Sequence, residues 1–309
     1  MGVQLSVLLP AYNEAPNLAE LVPATLAVLE DLGVSHELIV VDDGSTDDTR
    51  AVAADLTAHH PAFRYLRLRR NYGKSAALSQ GIRMADGETV VLMDADGQDD
   101  PSEIPKLLAA LDGGLDLVTG RRASRHDRYV KRTTSKLYNA ATAAVTGVPG
   151  RDFNSGLKAM RDDVAASLEL YGELHRYIPA LAHWAGFRVG EIDVVHHARR
   201  HGESKFGRNR FWRGFLDLVT VKFLTTYTAR PFHLFGGIGV LLGVAGTGLL
   251  AWMLVEKLVG NPIGDRPALL TGILFVVVSV QMLSLGLLGE LFVHLRRSAS
   301  RDVLVDEGP

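Results

Sequence analysis

Cysteine is missing from all 309 residues, which excludes disulfides, thiolate metal sites and cysteine nucleophiles. A charge surplus is missing too. Lys and Arg number 33 against 35 Asp and Glu, a formal net charge of −2, and this balance argues against nucleic acid as a partner. Neither G-x-G-x-x-G nor the Walker string occurs, so both usual phosphate loops are absent. Residues 1–10 lack the basic region and long apolar core of a signal peptide, so the first part of the chain is expected in the cytosol. A phosphorylated ligand, if there is one, has to be held by other means.

Two long apolar runs are present. The apolar fraction of 47% is ordinary, but it hides a split. Charges are spaced through residues 1–210, whereas 232–254 and 268–292 are nearly free of them. Each run is long enough to cross ~30 Å of hydrocarbon at ~1.5 Å per residue. Arg208, Arg210, Arg213 and Arg230 precede the first run, and Arg296, Arg297 and Arg301 follow the second. Only Lys257 and Arg266 lie in the connector, so both ends are expected on the cytoplasmic side of the plasma or inner membrane. Gln281, polar in the middle of the second run, marks either a helix–helix contact or an interface between copies in a homo-oligomer. Phe211, Phe215, Leu218, Val219, Phe223 and Tyr227 recur at near-helical spacing beside basic residues. That segment reads as a helix on the membrane surface or as one packed on the soluble part.

The first 210 residues are enough for one sizeable domain. Short apolar runs at 5–9, 38–41, 65–68, 89–93 and 115–118 alternate with helical patterns near 16–32, 46–59, 73–86 and 101–112. This alternation predicts an α/β fold with a mostly parallel sheet covered on both faces. Ligands in such folds bind beyond the carboxyl ends of the strands. Polar clusters stand there: Tyr12-Asn13-Glu14, Asp42-Asp43, and Asp94 to Gln98. Read as an extended segment, Asp94-Ala95-Asp96-Gly97-Gln98 puts alternate oxygen donors on one side, which suits Mg²⁺ or Mn²⁺ bridging a diphosphate. A solvated turn is the bland alternative. Lys74 opens a helix, where anions are favoured. Tyr12 either packs under a loop or stacks on a base. Adjacent His196 and His197 on a strand point to opposite faces and cannot easily share one ion, so they read as structural or acceptor-facing. Glu173, His175 and Arg176 fall in a helix expected to face the site. The basic stretch Arg121, Arg122, Arg125, Arg128, Lys131, Arg132 either binds a phosphate or attracts anionic lipid.

Four motifs stand in order over the first hundred residues: Pro10-Ala11-Tyr12-Asn13-Glu14, Val41-Asp42-Asp43-Gly44-Ser45-Thr46-Asp47, Asn71-Tyr72-Gly73-Lys74 and Met93-Asp94-Ala95-Asp96-Gly97-Gln98. Together they resemble the family-2 glycosyltransferases of the A-type (Rossmann-like) fold. Gly120-Arg121-Arg122, Lys131-Arg132, Asp152-Phe153-Asn154-Ser155-Gly156 and Arg199 to Lys205 are similar to the polyprenyl-phosphate branch, which includes dolichyl-phosphate mannose synthase. The wording at 152–156 departs from the mannose synthases.

The resemblance implies a metal-dependent, inverting hexosyltransferase. It would move a sugar from a UDP- or GDP-linked donor to undecaprenyl or dolichyl phosphate in the membrane, for cell-envelope glycan or protein glycosylation. It implies that Pro10, Tyr12 and Glu14 line the nucleoside pocket and Asp43 bonds the base. Asp94, Asp96 and Gln98 organise the metal, with Lys74 near the donor phosphates. Arg122, Lys131 and Arg132 meet the acceptor phosphate, Asp152 is a catalytic carboxylate, and Arg199 and Lys205 close over the donor diphosphate. The implied organisation is a cytosolic catalytic domain over 1–208, an interfacial linker over 209–230, a two-helix transmembrane hairpin over 231–295 and a cytoplasmic tail over 296–309. A processive polysaccharide synthase is the nearest rival, but it would carry Q-x-x-R-W and usually more spans. A nucleotidyltransferase would need a Gly/Arg/Lys-rich loop after the first strand. A silent membrane scaffold would not need Asp94, Asp96, Arg122 and Arg199.

Overall fold

The structure is a computed structural model that describes residues 2–122, 152, 155–198, 220, 223, 227, 230–263 and 266–299, with side chains up to 295. Contacts divide the chain into two compact units, Met1–Val221 and Lys222–Pro309.

In the first unit, β1 (Leu5–Ala11), α1 (Ala15–Asp31), β2 (His36–Asp42), α2 (Thr49–His59), β3 (Phe63–Arg67), α3 (Lys74–Met84), β4 (Thr89–Leu92), α4 (Ile104–Asp112) and β5 (Leu117–Arg122) alternate along the chain. Then come β6 (Lys158–Arg161), α5 (Asp162–Ser167), α6 (Ile178–Trp184) and β7 (Val189–Val194). They form one seven-stranded sheet in the order β3-β2-β1-β4-β6-β5-β7. All neighbours pair in parallel except β6, which runs against β4 and β5. Val7, Leu8 and Leu9 are wholly buried, as are Leu38, Ile39 and Val40 beside them. Neither face of these central strands meets water, which is why they read as continuous apolar runs. α1 begins with a proline in its first turn and buries Leu18, Leu21, Val22, Leu26 and Leu29, a helical stripe against the sheet.

Chain order puts β2 and β3 on one side of β1 and β4 on the other. Crossovers therefore leave in opposite directions from β1 and β4, which opens a crevice at their carboxyl ends.

The opposite edge is closed by polar bonds. Buried Glu37 accepts from Ser6 Oγ at 2.6 Å and from the Asp86 N–H at 2.7 Å, and it pairs with Arg64. Burial alone would raise the Glu37 pKa, but these donors outweigh it and hold the carboxyl below its usual range. A depressed carboxylate stabilises the fold above its unfolded pKa, and that contribution is lost as pH falls through the folded value. Glu37→Gln is expected to cost roughly 1–3 kcal/mol at pH 7. The gap from the parent chain should close as the pH is lowered below about 4, which denaturant melts across pH will measure.

The second unit contains α7 (Pro231–Leu258) and α8 (Pro267–Ala299) as an antiparallel hairpin. Pro231–Leu258 and Pro267–Leu295 are both long and apolar enough to cross a membrane. Their seam is built from small residues. Gly239, Gly243 and Gly246 of α7 meet Gly272 and Ser279 of α8, and a Cβ on Gly246 would stand 2.9 Å from the Gly272 carbonyl oxygen. Ser279 Oγ donates to the Gly239 carbonyl at 2.6 Å. This close approach is how helices pack where lipid removes the hydrophobic drive between them. Gln281 is not part of this seam. It lies on the exposed side of α8, so the polar contact within the hairpin belongs to Ser279.

Candidate active site

β1 stops at Ala11, and the chain turns through Asn13, which has φ +56°. Asparagine tolerates this left-handed backbone because its side chain bonds locally. Its N–H donates to Ser45 Oγ and its Oδ1 accepts from the Thr46 N–H, both at 2.8 Å. Glu14 N–H donates to Thr49 Oγ1 at 3.2 Å, and Glu14 Oε2 accepts from Asn17 at 2.6 Å. The loop after β1 is thus laced to the loop after β2. Pro10, Tyr12 and Glu14 are all half-buried along it.

Asp42, the last residue of β2, and Asp43 after it have separate tasks. Asp42 is buried, accepting from the Ser45 N–H at 2.8 Å and from the Tyr65 hydroxyl at 2.5 Å. Burial, reinforced by that carboxylate, raises the Tyr65 pKa, so the phenol stays a donor. Asp43 takes the Tyr72 and Gly73 N–H groups at 2.7 and 2.8 Å, one on each oxygen. Asp43 therefore holds the loop that leads into α3. Gly44, with φ +74°, leaves no room for a Cβ beside the Arg70 backbone of the same loop.

After β4 the chain turns instead of running extended, and Gly97 takes φ +70°. Glycine is what permits that turn. Asp94, Asp96 and Gln98 still emerge half-buried on either side of buried Ala95. Asp94 forms an ion pair with Lys74 from the start of α3. Burial pushes the Asp94 carboxyl up, but Lys74 and then Lys158 outweigh it and hold it below the usual carboxylate range. Gly156 packs against that carboxyl, and any Cβ there would collide with it. Asp96 Oδ1 accepts from the Gln98 N–H at 3.2 Å.

The turn is clasped from the far side of the sheet. His196 Nδ1 lies 3.2 Å from Asp99, His197 Nε2 lies 2.9 Å from Asp100, and the His197 N–H donates to the Gln98 carbonyl at 2.7 Å. The two histidines serve different carboxylates, as their alternation requires.

At the end of β5 the side chains also alternate. Arg121 forks onto Asp193 at 2.6 and 2.7 Å on the exposed side. Arg122 turns inward and forks onto buried Asp152, Nε to Oδ2 at 2.6 Å and a terminal nitrogen to Oδ1 at 2.8 Å. Burial would lower the Arg122 pKa, but Asp152 more than reverses it.

The profile described as "Glycosyl transferase family 2" matches residues 6–168. The chain belongs to that family. Dodecaprenyl-phosphate galacturonate synthase of Rhizobium johnstonii is 38% identical over 314 residues, covering 98% of this chain and 92% of the relative. Undecaprenyl-phosphate 4-deoxy-4-formamido-L-arabinose transferase of Proteus mirabilis is 35% identical over 294 residues, covering 93% and 87%. Among solved structures, glucosyl-3-phosphoglycerate synthase from Mycobacterium tuberculosis in complex with Mn²⁺ and uridine-diphosphate-glucose aligns with a TM-score of 0.55 at 22% identity, over 72% of this chain and 79% of that one. That likeness shows the shared fold.

In this family-2 enzyme the site also holds a residue that the sequence reading missed. Lys158, at the start of β6, is 3% exposed and donates to the Ser155 carbonyl. Burial, then the nearby Lys74, lowers its pKa to about 8. His175 Nδ1 is 2.9 Å from Ser75 Oγ, and burial followed by the Lys74 charge depresses its pKa to about 2, so the ring is neutral. It sits on a 3₁₀ turn, Leu174–Tyr177, not on a longer helix. Glu173 and Arg176 pair with each other at 2.7 Å. Lys158 stands among the apolar residues Leu157, Ala159 and Met160, and no spacing rule reads a buried lysine there. Lys131, Arg132, Arg199 and Lys205 lie outside the described residues, as does nearly all of the expected interfacial helix.

A metal fits this site in one mode. No group of three or more His, Asp or Glu able to hold an ion stands among the described residues. A small hard ion carried by one or two carboxylates and the donor's own phosphate oxygens needs no such cage. Asp96 and Gln98 provide hard oxygens of that kind, whereas Asp94 is tied to Lys74.

Proposed function

We propose that this glycosyltransferase moves a sugar from a nucleotide-diphosphate sugar onto a polyprenyl phosphate with inversion at the anomeric carbon, and that both ends of the chain lie in the cytoplasm. One observation carries the reading. The match to polyprenyl-phosphate sugar transferases runs over 98% of the chain and so includes both apolar helices as well as the catalytic fold.

A lipid phosphate is already an anion near neutral pH and needs no general base. Its oxygen forms the new bond to the anomeric carbon as the bond to the nucleotide diphosphate breaks, and the electron pair leaves with that diphosphate. The protein's work is positioning and charge cancellation. Lys74 and Lys158 surround Asp94 and set the positive field beside the donor phosphates. Arg122, fixed in direction by Asp152, presents its remaining N–H donors toward the acceptor, with Lys131 and Arg132 following in the chain. Pro10, Tyr12, Glu14 and Asp43 frame the nucleoside side, and Arg199 and Lys205 close over the diphosphate. Asp96 and Gln98 would hold Mg²⁺ or Mn²⁺, which when bound offsets charge on the departing diphosphate.

Membranes bearing the protein, incubated with a panel of radiolabelled sugar nucleotides and polyprenyl phosphate, are expected to yield organic-extractable label with one donor. Label that stays water-soluble with every donor, from folded protein, would overturn the acceptor assignment.

A further inference from the structure

Two heptad seams run along α8, and the hairpin uses only one. Gly272, Ser279 and Gly286 recur every seven residues and face α7. Gln281 stands two residues on from Ser279, which at ~100° per residue is the opposite side of the helix. That side carries its own repeat: Leu274, Gln281 and Leu288 at one position, Val277, Ser284 and Leu291 at the other. Its four apolar members are between 49% and 57% exposed, and Gln281 and Ser284 are exposed as well. This is the a/d pattern of a helix that pairs with another helix, broken in its middle turn by two polar side chains, Gln281 and Ser284.

Gln281 is the middle residue of the Pro267–Leu295 span. At that depth lipid chains offer its amide nothing to bond, and an unsatisfied amide in hydrocarbon is costly. No hydrogen-bond partner for it exists among the described residues.

The geometry points to a second copy of this chain as the occupant, with the Leu274–Leu291 faces of two α8 helices packed together and Gln281 bonded to Gln281. Copies sharing one topology lie parallel in the bilayer, so the same residue in each falls at the same depth, and a two-fold axis along the membrane normal brings them together. A glutamine amide carries both donor and acceptor and is its own complement. An apolar isoprenoid tail cannot supply either. This assembly goes beyond the proposed reaction but rests on the hairpin lying in the bilayer.

The absence of cysteine gives a direct test, because a single introduced cysteine has no partner within its own chain and an adduct of twice the chain mass marks a second copy. Full-length Leu274→Cys and Leu288→Cys in membranes, oxidised with copper phenanthroline, are expected to give a species of twice the chain mass. Leu287→Cys, one residue round the helix from the seam, is expected to stay monomeric. Adding Gln281→Leu to Leu274→Cys should cut the crosslinked fraction roughly three- to tenfold at low protein-to-lipid ratio, which is ~0.6–1.4 kcal/mol. Gln281→Asn should preserve most of it. Equal crosslinking at Leu287→Cys, an unchanged fraction in the Gln281→Leu background, or adducts of another mass would overturn the second-copy seam. So would monomers throughout in protein that resists alkaline carbonate extraction. Release of the chain by carbonate would instead remove the bilayer reading on which the seam depends.

Discussion

Asp96→Ala is expected to lower turnover by at least roughly 10²–10³-fold, the scale on which removing one preorganised charge contact to a transition state is felt, while the domain stays folded. Lys74 and Lys158 already cancel the charge on Asp94. Asp96 stands beyond them on the turn that Gly97 permits, where an ion carried by a nucleotide diphosphate would meet it. The side chain is half-buried at a turn, so its truncation leaves no core cavity. The decisive measurement is sugar transfer against Mn²⁺ concentration, with circular dichroism as the check on folding. Full activity of Asp96→Ala in excess chelator would take the metal out of the reaction.

The second large effect concerns stability and acceptor use together. Asp152→Asn is expected to destabilise the first unit by about 3 kcal/mol, because it leaves the largely buried Arg122 guanidinium without its paired carboxylate. Replacing both partners by apolar residues, Arg122→Met with Asp152→Leu, should return most of that stability. It should not return activity. If Asp152 acts by aiming Arg122, the conservative Asp152→Glu should raise the apparent KM for polyprenyl phosphate more than that for the sugar nucleotide. A pure fall in kcat, with both KM values unchanged, would restore Asp152 to direct chemistry. Denaturant melts and initial rates on the same four proteins separate these outcomes.

How far the chain could be read without its structure depended on burial. β1, β2, β4 and the first part of β5 lie inside the sheet with helices on both faces, so their residues form apolar runs that no helix pattern imitates. β6 and β7 gave no such signal. Lys158-Ala159-Met160-Arg161 is four residues with a charge at each end, and Val189 to Val194 mixes glycine and two acids into a half-exposed edge strand. Their places come from pairing with distant partners, Leu92 with Lys158 and Leu117 with Val189. The site divides in the same way. Carboxylates at strand ends were visible because a strand end is a local feature. Lys74 on Asp94 and Arg122 on Asp152 join residues 20 and 30 positions apart, and no short motif records such partners. The extended reading of Asp94 to Gln98 failed because the chain turns at Ala95 and Asp96 and Gly97 takes positive φ, and beyond that turn Asp99 and Asp100 meet the two histidines.

The reversed direction of β6 has an evolutionary consequence. A parallel strand in that slot would have to be entered from the opposite edge, and its connection would cross the back of the sheet. Because β6 starts near where β5 stops, the connection from Arg122 to Lys158 begins and ends at the same edge, the carboxyl edge of the parallel strands. Residues can be added to or removed from that excursion without changing a single register in the sheet. The connection between β5 and β6 can therefore change in length among descendants while the half of the sheet woven between β1, β2 and β4 stays as it is.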